Sequence, residues 1–132
     1  MKTITREWLN AANDDLIAME VMSGREDITN MVAFHAQQAI EKSFKAVVEE
    51  FNLGNIKTHQ LESLSAKISP ILSGFNETIL AELDTVYIEA RYPGDLGLMP
   101  QGKPSIEEAE IYREEAIKIK QQVETFLMKR NS

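Results

Sequence analysis

Gln37-Gln38-Ala39-Ile40-Glu41-Lys42-Ser43-Phe44-Lys45-Ala46 is the stretch that decides the fold. Its apolar residues recur at three and four positions, which is the period of an α-helix and not the alternation of a strand. The pattern continues on both sides. Ile28, Val32, Ala36, Ala39, Ile40, Ser43, Val47 and Phe51 trace one face from about Asp27 to Phe51, and Met31, Phe44 and Val48 widen it. A helix apolar over so broad an arc belongs at the centre of a bundle. Its narrower polar side holds Gln38, Glu41, Lys42, Lys45 and Glu49. Asp27 reads as the N-cap or a first-turn residue, and Leu53-Gly54-Asn55 as the stop.

Four more helical segments flank this one. Before it, Trp8, Leu9, Ala12, Leu16 and Met19 form the stripe of a helix from about Arg6 to Met22, punctuated by Ser23-Gly24. After it, Thr58 can cap a short third helix in which Leu61, Leu64 and Ile68 face inward and which Pro70 stops. The fourth runs from about Asn76 to Arg91, because Pro93 disfavours helical geometry at Tyr92. Gly94 to Pro104 is a loop with three glycines and two prolines. Ser105-Ile106-Glu107-Glu108 then matches a capping box and opens a fifth helix that reaches about Lys129. There is no strand pattern and no internal repeat. The expectation is an all-α, antiparallel bundle of four to five helices, folded as one domain over residues 1–132.

Composition narrows the function. With 132 residues and 43% apolar content, the chain can bury a core without disulfides or a structural metal. It has no cysteine, which excludes a disulfide framework, a zinc ribbon and a thiol nucleophile. No apolar run approaches the ~20 residues of a membrane span, and Met1 to Trp8 lacks the apolar stretch of a signal peptide. A cytoplasmic location without membrane attachment is therefore expected. The net charge of −7 repels phosphate backbones. DNA is not an expected partner, and contact with nucleotide or RNA has to come from a few clustered cations.

Candidate chemistry is sparse. His35 and His59 are the two histidines, and neither stands in a metal-ligand spacing, so no metal or cofactor is expected. His35, Gln38 and Lys42 lie on successive turns of the central helix and offer an imidazole, an amide and an ammonium. Phe34 lies near Gln38, Glu41 and Lys45 on the polar side. An aromatic ring there suggests packing against a second subunit, with Phe34, Gln38 and Glu41 as interface candidates; the alternative is packing on the fifth helix of the same chain. Lys42 and Lys45 project to one side of the helix, and with Arg91 they could form a small phosphate-binding patch. Ordinary ion pairs for Lys42, and the helix C-terminal dipole for Arg91, are the competing explanations. A Walker-type phosphate loop and a Gly-x-Ser-x-Gly elbow are both absent, and no local pattern nominates an acid/base pair.

Four segments in order carry a resemblance: Trp8 with Ala11, Asp15 and Leu16; Gln37 to Ala46; Thr58-His59-Gln60-Leu61; and Ala90-Arg91-Tyr92-Pro93. Together they resemble the HEPN family over nearly the whole chain. The resemblance implies a bundle of four or five helices that commonly dimerises. It also implies a neighbouring minimal nucleotidyltransferase, often as a toxin–antitoxin pair. Active members are metal-independent ribonucleases with an Arg-x(4–6)-His motif. In this sequence Arg91 is followed by Tyr92-Pro93-Gly94-Asp95-Leu96-Gly97-Leu98, and no histidine lies beyond His59. The function expected on that basis is a non-catalytic accessory domain, acting as a homodimer, that binds a nucleotide or a nucleotidyltransferase partner. Lys42, Lys45 and Arg91 would meet phosphate and Tyr92 would stack on a base. His59 would donate a hydrogen bond or hold the third helix. A ribonuclease with a rearranged site and a purely structural dimerisation module are the alternatives.

Overall fold

The computed structural model describes residues 1–54, 57–91 and 103–130, with residues 88–91 described by their backbone alone. Among the described residues there are five α-helices and no strand. They are α1 (Thr3–Met22), α2 (Thr29–Glu50), α3 (Leu61–Ile68), α4 (Glu77–Arg91) and α5 (Ile106–Arg130). A short 3₁₀ turn, Glu26–Ile28, leads into α2.

The central helix is central for the reason its pattern implies. Ile40, Phe44, Ala36, Ala39 and Val47 are fully buried, and α2 packs against each of the other four helices. Phe44 meets Phe75 with ring centres 4.9 Å apart. From the flanking helices Met19, Leu64, Leu83 and Ile119 close the same core with no exposed surface. α1 runs antiparallel to α2. At one end Thr5 Oγ1 and the Lys2 amide both donate to Glu50 Oε1, each at 2.9 Å, and nearer the other end Asp15 meets His35.

Helix boundaries follow local chemistry, with two departures from the sequence expectation. Asp27 does not cap α2: its carboxylate takes a paired contact from the Arg25 guanidinium (3.1 and 2.7 Å), and α2 begins two residues later with no side-chain cap. Nor does Thr58 cap α3. Its hydroxyl accepts the Gln60 amide at 3.1 Å, one step too early. The cap comes from α4, where Asp84 accepts the Leu61 amide at 2.6 Å and the Glu62 amide at 3.2 Å. Burial raises the Asp84 carboxyl above its ordinary value, against the pull of those two amides. α2 stops at a left-handed residue, Asn52 (φ 54°). The Leu53 amide there reaches back to the Val48 carbonyl and the Asn52 amide to that of Glu49, which satisfies the last carbonyls of the helix. The capping box is present as written: Ser105 Oγ accepts the Glu108 amide and Glu108 Oε1 accepts the Ser105 amide, both at 3.0 Å. No helix among the described residues is long and apolar enough to cross a membrane.

Candidate functional site

The polar side of α2 is not a solvated face. It is built on two buried carboxylates, and each of them is shared by one lysine and one histidine. Asp15 of α1 accepts Lys42 Nζ at 2.7 Å on one oxygen and faces His35 Nδ1 at 2.8 Å on the other. Glu41 accepts Lys45 Nζ at 2.8 Å on Oε2, which also faces His59 Nδ1 at 3.1 Å, while Oε1 accepts Gln37 Nε2 at 3.1 Å. A charge this far from water requires a partner, and here each has one. An ionised carboxylate only accepts, so each imidazole carries its proton on Nδ1 and turns Nε2 away from the carboxylate.

Gln37 ties the arrangement together. It is fully buried, yet its amide also donates to the His59 carbonyl at 3.0 Å, and its oxygen accepts Gln38 Nε2 at 2.7 Å. Along one edge runs a row of rings. His35 meets Phe34 edge-on at 5.5 Å, Phe34 stacks on Tyr87 of α4 at 6.0 Å and 8°, and Tyr87 lies against His59 at 5.6 Å and 32°.

The expected site residues fare differently. Lys42 is on the polar face with its side chain 23% exposed, and its ammonium keeps donors to spare beyond the one used by Asp15. Lys45 does not join it as a surface cation: it is buried, bound to Glu41, and lies over the Trp8 ring at 5.4 Å. Glu41 is likewise buried within its own chain and presents no carboxylate to a second subunit. Phe34 packs on α4 through Tyr87, where the alternative reading had placed it on α5. Gln38 is half-buried beside Gln37. His59 stands at the open end with its side chain 51% exposed. Arg91 is the last residue of α4, one turn beyond Tyr87. Its side chain, and the whole of Tyr92, lie outside the described residues.

Asp15, Gln37 and Tyr87 complete the cluster and were not singled out as functional by pattern. Asp15 carried a usable signal, being a carboxylate set among Leu9, Ala12, Leu16 and Met19 on the apolar stripe of α1. Tyr87 carried none, because an aromatic in a stripe reads as core. No group of three histidine, cysteine or acidic residues among the described residues could hold a metal ion.

The fold and this cluster define a helical-bundle domain with a polar, imidazole-bearing face on its central helix. A family model described as the HEPN domain matches residues 5–129, and the chain belongs to the HEPN family. Comparison with curated proteins and with solved structures returned no match.

Proposed function

We propose that the protein is a HEPN accessory module that acts without catalysis and binds a nucleotide, in partnership with a minimal nucleotidyltransferase. The observation that supports it is the polar face of α2. Lys42, His35 and His59 stand partly exposed there and are held by the buried carboxylates of Asp15 and Glu41, so a ligand meets donors that need little ordering on binding. Lys42 reaches phosphate without leaving Asp15. Lys45 acts from beneath by holding Glu41. Arg91, at the end of α4, adds a second cation, and Tyr92 follows it in sequence. Calorimetric titration with nucleoside di- and triphosphates tests the reading: heat that saturates in the micromolar to millimolar range supports it, and no heat at millimolar ligand rejects the nucleotide part. The homodimer belongs to the same reading, with Phe34 and Gln38 at its contact, and a monomer in sedimentation at micromolar concentration rejects that part.

A second reading, a ribonuclease with a rearranged site, draws on one observation. His59 is oriented by a carboxylate through Nδ1, as the base of a catalytic dyad is. Cleavage of single-stranded RNA by the parent, lost in His59→Ala and in Arg91→Ala, supports this reading; no cleavage by the parent rejects it.

A further inference from the structure

The exposed end of the ring row has a use of its own. His59 is half in water, yet both of its ends are pinned from the protein interior. Nδ1 is held by buried Glu41, and the main-chain carbonyl by fully buried Gln37. A ring at such exposure ordinarily turns freely, and fixing it costs side-chain entropy that no core burial returns. Behind it, Tyr87 lies tilted against the ring at 5.6 Å and 32°, and Phe34 stacks on Tyr87 at 6.0 Å and 8°. Those spacings fall in the range at which aromatic rings attract one another. The row is buried at Tyr87 and ends in solvent at His59. A planar group laid on the outer face of His59 becomes the next ring of the row.

We infer that His59 is a stacking platform for the base of an unpaired nucleotide, so that this face recognises its ligand by the base and not by phosphate alone. The inference rests on the nucleotide-binding reading and gives the stacking role to His59. The phosphate then lies toward Lys42.

The test compares adenosine monophosphate with ribose 5-phosphate, titrated into the parent, His59→Ala and His59→Phe. The parent binds adenosine monophosphate more tightly than ribose 5-phosphate. His59→Ala weakens the nucleotide by about tenfold to a hundredfold, the range for loss of one base–aromatic stack, and weakens ribose 5-phosphate far less. His59→Phe keeps the ring and restores nucleotide binding, while Glu41 retains Lys45 and Gln37. Nucleotide binding that survives His59→Ala overturns the stacking role and leaves the broader reading standing. So does a His59→Phe variant as weak as His59→Ala, because the hydrogen bond and not the ring would then carry the affinity. A parent that binds neither ligand overturns both.

Discussion

Lys45 and Glu41 are 5% and 4% exposed and hold each other one turn apart on α2. Removing one member strands the other charge in the interior, whereas removing both does not. Glu41→Leu is therefore expected to lower unfolding free energy by about 3–5 kcal/mol. Glu41→Leu combined with Lys45→Leu is expected to recover most of it, as read by urea denaturation of the two variants and the parent. A double variant no more stable than the single one would show that the pair is held for a reason other than its own balance. The same two residues mark the limit of what residue spacing reveals. Period alone places both on the polar side of α2, and so do their charges. What buries them is the approach of Trp8 from α1 and His59 from the segment before α3, and those neighbours are distant in sequence. Lys42 shares the lysine chemistry but not the neighbours, so it stays at the surface.

Helix ends divide into those the chain writes locally and those it borrows. The start of α5 is local: Ser105 and Glu108 exchange hydrogen bonds three residues apart, and the motif is legible without coordinates. The start of α3 is borrowed, since its two first amides end on Asp84, more than twenty residues later. No window over Thr58 to Leu61 contains that information, and the nearest hydroxyl, on Thr58, is the natural but mistaken choice. Two substitutions separate the cases. Ser105→Ala is expected to cost about 1 kcal/mol, the usual value of an N-cap, in a thermal melt. Asp84→Ala is expected to leave the amides of Leu61 and Glu62 without their acceptor and to speed their exchange with solvent, while the amides in the middle of α5 keep their protection. Equal acceleration in both helices would mean that Asp84 supports the bundle and not the cap. The long elements were readable to within two or three residues at their ends because α1, α2, α4 and α5 each bury a periodic stripe.

At the scale of the whole bundle, α5 is fastened to α4 by Tyr112, whose hydroxyl donates to Glu82 at 3.0 Å. Burial, then the Glu82 carboxylate, pushes the Tyr112 phenol well above its ordinary value. The unfolded chain releases that proton near pH 10, while the folded chain holds it. The stabilisation is complete below pH ~10 and is lost as pH rises toward the folded value, because the native state binds the extra proton there. Stability of the parent is thus expected to fall more steeply above pH 10 than that of Tyr112→Phe, as followed by denaturation at a series of alkaline pH values; parallel slopes would contradict it. Sequence patterning fixes this bundle's class and its central helix, and leaves the contacts of α2 with Asp15, His59 and Tyr87 to the third dimension. The borrowed cap of α3 has a consequence beyond its own helix. Eight residues are fewer than the ~12–15 that a lone helix needs to persist in water, so α3 lasts only while it is docked on α2 and α4. Loosening of α4 therefore loosens α3 as well, and a disturbance at Asp84 is felt at the start of an element more than twenty residues away.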